Sequence, residues 1–218
     1  MAMEPLEWQE FTSTGTTTLP VPPGAARVEA VVIGGGGGGA SYYPNDDRTG
    51  RGGSAGSWSS TSRDFPTSVS VQVGSGGSAQ TSSGRSGNSG SASSVTIDGS
   101  TTSGSGGSGG NGTGNTSQRA GSAAGSRDYF GTSFTGGSSS TSPSPGNAPG
   151  GGGAGGRAGS SSNSRGQAGG VGRVWVRFWI ESKVENFYPG GVKVKELYRG
   201  DVPVRAFYYG GTLFYGSD

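Results

Sequence analysis

The insert Ser41-Tyr42-Tyr43-Pro44-Asn45-Asp46-Asp47-Arg48 is the best candidate contact loop in the chain. Two adjacent tyrosines offer flat faces to a sugar ring. Asn45, Asp46 and Asp47 supply hydrogen-bond partners for sugar hydroxyls. Asp128-Tyr129-Phe130, running on toward Phe134, is a second group of this kind, and Trp58 is a third. Tyr42, Tyr43, Asn45, Asp46, Asp47, Trp58, Tyr129 and Phe130 are therefore the candidates for receptor contact. The competing reading of these aromatics is internal: they plug gaps between glycine segments or bind a neighbouring protein. Asp46 and Asp47 fall well short of the roughly six to eight oxygens that calcium takes, so no metal site is expected.

Catalysis has little to draw on. The 218 residues contain no cysteine and no histidine, which removes thiol nucleophiles, disulfides, thiolate zinc sites and the commonest general base. Asp46, Asp47, Asp64, Asp98 and Asp128 are available for glycoside hydrolysis, but nothing in their spacing nominates a pair. The glycines at 34–39 follow a strand pattern without the Lys-Ser/Thr or helix that a phosphate loop needs. Arg199-Gly200-Asp201 matches the integrin-binding tripeptide, yet its glycine stands where a turn is required. Eight arginines between 34 and 170 (48, 51, 63, 85, 119, 127, 157 and 165) invite a nucleic-acid reading. They are scattered singly without interleaved aromatics, and a net charge of +2 attracts polyanions weakly. The expectation is a protein that is no enzyme, uses no cofactor and binds no nucleic acid.

The elements that must position these groups are unusual. Glycine numbers 49, serine 37, and hydrophobic residues are 28% of the chain, too few to fill a side-chain core from end to end. The first residues are acidic and lack the apolar stretch of a signal peptide. No run approaches the roughly 20 apolar residues of a membrane span, so a soluble protein made in a cytoplasm, without membrane insertion, is expected.

Composition marks three zones. Residues 1–33 read as ordinary β sequence, with short strands within 8–19 and a longer one at 27–33 whose apolar residues on both faces place it centrally. The zone 34–170 is rich in Gly and Ser, with strand signals at 69–73, where Val alternates with polar residues, and at 95–97, ahead of Asp98-Gly99. Its glycine tracts have two readings: flexible linker, or extended polyglycine II helices bonded chain to chain through bare backbone. Gly104, Gly107 and Gly110 share one three-residue phase, and Gly106, Gly109 and Gly112 another. A linker spanning 34–170 would dwarf the roughly 12–15 residues beyond which structureless loops are already uncommon, so ordered glycine is the reading adopted.

In the strand expected at 173–180, Val174, Val176, Phe178 and Ile180 share one face and Arg173, Trp175, Arg177 and Trp179 the other. The second face suits cation–π pairs or a subunit interface. A tandem repeat follows, 194–204 aligned with 204–214, which reads as an antiparallel meander with turns at 199–201 and 210–211. Its aromatics Tyr198, Phe207, Tyr208, Tyr209, Phe214 and Tyr215, with Trp175 and Trp179, are the candidates for docking another subunit or tail protein. The expected fold is all-β with a glycine-rich core, in two parts: 1–182 of short strands and polyglycine-II-like helices, and 183–218 as a small β meander.

Five stretches recur in a familiar order. They are 11–25 with Pro20-Val21-Pro22-Pro23-Gly24, the valine strand 28–33 running into 34–39, Val69-Ser70-Val71-Gln72-Val73-Gly74-Ser75-Gly76-Gly77, the segment 87–97, and Gly169-Gly170-Val171-Gly172-Arg173-Val174 leading to Phe178. This arrangement resembles the glycine-rich domain of bacteriophage tail fibres and minor tail proteins, with many of that domain's glycines replaced by Ser, Thr or Asn. The resemblance implies a virion tail component, commonly a homotrimer, meeting other tail proteins and a host-envelope glycan at the tail tip. The alternatives are a purely structural tail connector and a glycine-rich nucleic-acid-binding or ice-binding protein. For ice, no flat Thr or Gly face is evident in the sequence.

Overall fold

The computed structural model describes residues 3–42, 49–80, 82, 85–111, 120–141, 144–156 and 165–181, together with the backbone of short strands between 198 and 216. The chain divides into two compact units, Met3–Ile180 and a second holding residues 1–2 with Glu181–Asp218. All regular structure among the described residues is β.

The first unit contains β1 (Met3–Pro5), β2 (Gln9–Phe11), β3 (Gly15–Leu19), β4 (Ala25–Ile33), β5 (Trp58–Asp64), β6 (Val69–Val73), β7 (Ser93–Ile97), β8 (Ser100–Gly104), β9 (Ser126–Tyr129), β10 (Thr132–Thr135) and β11 (Arg173–Glu181). One sheet runs β1-β11-β4-β5, with β2 also on β11; a second runs β3-β6-β7-β8. β4 is central, antiparallel to both β11 and β5, as its apolar character on both faces implied. Val28, Ala30 and Val32 face the second sheet and meet Val69, Val71, Val73, Val95 and Ile97 there, with Val174, Val176 and Phe178 of β11. On the far side of β4, Val31 and Ile33 join Trp175, Phe134 and Ala124, roofed by the β9–β10 hairpin.

The outer face of the second sheet is entirely polar. Its register aligns Thr16, Gln72, Ser94 and Ser103 in one rank and Thr18, Ser70, Thr96 and Thr101 in the next. The sequence reading found no such face, because its members come from four separate strands.

Asp98-Gly99 forms the turn between β7 and β8, both residues at positive φ (48° and 78°), the conformation tight hairpins favour. The Asp98 carboxylate accepts hydrogen bonds from the Thr67 N–H at 2.9 Å, the Thr67 hydroxyl at 2.7 Å and the Ser68 N–H at 2.9 Å. Those donors, with Arg63 at 3.6 Å, lower its pKa to about 2. A depressed carboxylate contributes stability above its unfolded pKa, and that contribution is lost as pH falls through its folded one. Asp98→Asn keeps the shape and tolerates positive φ. It is expected to lower the melting temperature at neutral pH and to flatten the loss between about pH 4 and pH 2. Melting curves that track the parent's at every pH would disprove the assignment.

In the second unit, β12 (Tyr198–Arg199) pairs with β13 (Val202–Pro203), and β14 (Ala206–Tyr209) with β15 (Thr212–Gly216). The antiparallel pairing expected of the C-terminal β segment is present in both pairs; the residues that join β13 to β14 lie outside the described ones.

Candidate functional site: the loop end of the glycine bundle

Several strands do not stop where side-chain packing ends. β4 runs on as 34–41, β6 as 74–78 and β8 as 105–111, while 50–57, 85–92 and 165–172 lead into β5, β7 and β11. Segment 34–41 is the axis of a bundle built from these continuations. Its N–H groups donate in rotation to three antiparallel neighbours: Gly34, Gly37 and Ala40 to Ser57, Ser54 and Arg51; Gly35, Gly38 and Ser41 to Ser91, Asn88 and Arg85; Gly36 and Gly39 to Gly170 and Gln167. Its carbonyls accept from three others: Gly35 and Gly38 from Gly107 and Gly110, Gly36 from Gly77, and Gly37 and Ala40 from Gly153 and Gly156.

The neighbours bond to one another in turn, 50–57 to 105–111, then 87–91, 74–78, 167–172, 150–156 and back to 50–57. Six segments thus close a ring about a seventh. The reason for glycine is steric. A Cβ on Gly34 or Gly37 would collide with the Ser105 or Ser108 carbonyl, one on Gly35 or Gly38 with Ser75 or Ser78, and one on Gly36 or Gly39 with Gly151 or Ala154. Every third residue repeats the direction. In the ring the same period sorts inside from outside. Gly50, Gly53 and Gly56 are buried while Arg51, Ser54 and Ser57 are exposed. Of the phases read from sequence, Gly107 and Gly110 abut Ser54 and Arg51, and Gly106 and Gly109 abut Gly90 and Gly87. Gly112 lies outside the described residues.

One end of this bundle merges with the sheets. At the other, level with Ala40 and Ser41, lie Tyr42, Gly50, Gln80, Arg85, Asn111, Gly156 and Arg165, where the chain leaves and re-enters. The stretches joining these ends are 43–48, 81–84, 112–119 and 157–164. Of the receptor-contact candidates, Tyr42 belongs here, half-buried next to the fully buried Ser41. Tyr43, Asn45, Asp46 and Asp47 lie outside the described residues. A groove of about 640 Å³, lined by Gln80, Ser82, Arg85, Ser86, Gly87 and Asn88, opens at this end, a feature the sequence reading passed over.

Trp58, Tyr129 and Phe130 are placed at the sheet end instead. The Trp58 indole stacks on Trp175 at 5.7 Å between centroids and 11° between planes, and its Nε1 donates to the Ala124 carbonyl at 3.0 Å. Tyr129 lies 6.4 Å from Trp58, and Phe130 lies 6.5 Å from Trp8. These aromatics fill the space between hairpin and sheet. Trp175, read as a docking residue, is covered by the same hairpin and is 8% exposed. The Arg/Trp face forms the cation–π pairs its alternation suggested: the Arg177 guanidinium lies 4.5 Å over Trp8 and 5.3 Å over Trp179. The Trp179 Nε1 is buried and has no hydrogen-bond partner among the described residues. The side chains of Tyr198, Phe207, Tyr208, Tyr209, Phe214 and Tyr215 lie outside the described residues.

Among the described residues no three His, Cys, Asp or Glu side chains gather to hold a metal ion, and no helix is long and apolar enough to cross a membrane. No curated protein matches the chain. The model of one family, described as a glycine-rich domain, matches residues 12–179, about three quarters of the chain, which takes in the bundle, the second sheet and the first sheet apart from β1, β2 and the end of β11. The protein belongs to this glycine-rich domain family.

Proposed function

We propose that the protein is a structural component of a bacteriophage tail, a minor tail protein at the tail tip or fibre, that contributes to host-surface attachment. The order of motifs over residues 11–178 supports the tail reading. The observation that carries the attachment reading is the build of the bundle: the described ends at Tyr42, Gly50, Gln80, Arg85, Asn111, Gly156 and Arg165 lie together at one end of a scaffold held by its own backbone. Recognition residues are characteristically displayed in this way, on loops positioned by a rigid framework. Assembly as a homotrimer would bury surface that the sparse apolar residues leave open, and would multiply shallow contacts by avidity.

Antibody against the full chain, applied to virions of the phage that encodes it, is expected to label the tail tip or fibre. Light scattering of the purified chain is expected to give three times the 21.5 kDa chain mass. Unlabelled virions would refute the tail assignment, and a monomer the trimer. The labelled chain is further expected to coat host cells; failure to do so would leave the connector role, without receptor contact. One observation favours a second reading, ice binding: the two hydroxyl-rich ranks on the outer face of the second sheet. Freezing hysteresis in a solution of the pure protein would decide for it.

A further inference from the structure

Seven of the eight arginines whose side chains are described fall into two groups, and the eighth, Arg127, lies exposed on β9. In the sheets, Arg27, Arg63, Arg173 and Arg177 each hold a carboxylate, from Asp64, Asp98, Glu10 and Glu29 respectively. At the loop end, Arg51, Arg85 and Arg165 are exposed, and among the described residues none of them pairs with a carboxylate.

Their positions are not scattered. The three arginines sit on the three antiparallel neighbours of the axis. The Arg51 carbonyl accepts from the Ala40 N–H and the Arg85 carbonyl from the Ser41 N–H, while Arg165 stands two residues before Gln167, which accepts from Gly39. All three are therefore level with residues 40–41. In the closed ring these neighbours alternate with the three parallel segments. With backbones roughly 4.8 Å apart, they mark a triangle about 8 Å on a side around the axis. The chain's small net charge conceals three arginines, unpaired with carboxylates among the described residues, at one end.

We infer that this end binds an anionic polyhydroxylated polymer, a phosphate- or carboxylate-bearing glycan of the cell envelope. Several guanidinium groups at one end suit repeating anionic groups, which they bind as forked donors. The groove beside Arg85 adds the amides of Gln80 and Asn88 and the hydroxyls of Ser82 and Ser86, groups that suit sugar hydroxyls. Single-stranded nucleic acid fits less well. Base binding relies on exposed aromatic platforms, and the aromatic described at this end, Tyr42, is half-buried. The inference rests on the attachment reading for its occupant and on the arginine triangle for its chemistry.

The test is titration of the full chain with poly(glycerol phosphate), polygalacturonate, neutral dextran and a thymidine oligonucleotide, at low and high salt. Binding to one or both anionic glycans is expected, with none to dextran, and weakening with salt. Arg51→Gln/Arg85→Gln/Arg165→Gln is expected to reduce affinity on the order of ten-fold without changing the melting temperature, since all three side chains are exposed. Arg127→Gln, at an exposed arginine on β9 whose side chain, among the described residues, hydrogen-bonds only the adjacent Ser126 carbonyl, is expected to change nothing. The inference is overturned by failure to bind either anionic glycan, by equal loss in Arg127→Gln, or by tighter binding of the oligonucleotide. Labelling of host cells separates the two claims. Cells coated by a chain that ignores both anionic glycans would end the ligand assignment and leave attachment standing. Glycan binding with bare cells would do the reverse.

Discussion

Gly37→Ala is expected to lower the melting temperature by roughly 6–12 °C, or to prevent folding altogether. The residue is blocked on three sides by three different segments. Its N–H donates to the Ser54 carbonyl at 2.9 Å, and its carbonyl accepts from the Gly153 N–H at 2.9 Å. An added methyl group would meet the Ser108 carbonyl. That carbonyl cannot swing aside cheaply, because it already accepts from the Ser54 N–H at 2.9 Å. Two effects oppose each other. Alanine reduces the entropy of the unfolded chain, which favours folding by about 0.4–1 kcal/mol. Overpacking costs about 1–3 kcal/mol where side chains can give way, and here the obstacle is hydrogen-bonded main chain, so the cost lies at or above the top of that range. The clash wins. Ser89→Ala, on an exposed position of a ring segment, is the control and is expected to stay within about 0.5 kcal/mol of the parent. Equal thermal unfolding curves for Gly37→Ala and the control would show that the bundle interior is not closed by main chain.

The same physics explains what the sequence discloses. β6 and β11 were legible because alternating Val-Ser-Val-Gln-Val and Val-Trp-Val-Arg-Phe carry a side-chain period of two. The three-residue glycine phase within 104–110 was legible for a parallel reason: an absent side chain is also a periodic signal. β5, with Trp-Ser-Ser-Thr-Ser-Arg-Asp, carries neither signal. It becomes a strand because seven consecutive residues pair with β4, whose own face is apolar enough to hold the sheet in place. β8 and the β9–β10 hairpin were missed likewise; their partners are local and their residues polar. The arginine triangle was unreadable in principle from spacing. Arg51, Arg85 and Arg165 are brought level by hydrogen bonds to one axis, and no sequence period encodes the ring order of segments that lie tens of residues apart.

Arg177→Met is expected to destabilise the first unit by about 3–5 kcal/mol, and Glu29→Gln by less. The two residues face each other in the β4–β11 register, with Nε to Oε2 at 2.8 Å and side chains 13% and 7% exposed. A buried pair of this kind gains little over an apolar replacement, because removing two charges from water offsets most of their attraction. Removing one partner is a different matter, since the other is left buried and unpaired. The two halves are not equivalent. With Glu29→Gln, Arg177 keeps the Phe130 carbonyl, to which Nη2 donates at 3.0 Å, and the faces of Trp8 and Trp179. With Arg177→Met, the Glu29 carboxylate loses its partner, and the β9–β10 hairpin loses the bond at Phe130 that ties it to the sheet. Denaturant titration followed by indole fluorescence reads both effects, because Trp8, Trp58 and Trp175 line the space beneath that hairpin. Glu29→Gln/Arg177→Met is expected to lose less than the two single changes added together. The hairpin contact should account for what remains lost, because it depends on the guanidinium and not on the carboxylate. Equal losses in the two single variants would mean that Arg177 serves Glu29 alone and that the hairpin is held by its aromatic residues; strict additivity in the double would mean that the two side chains do not couple at all.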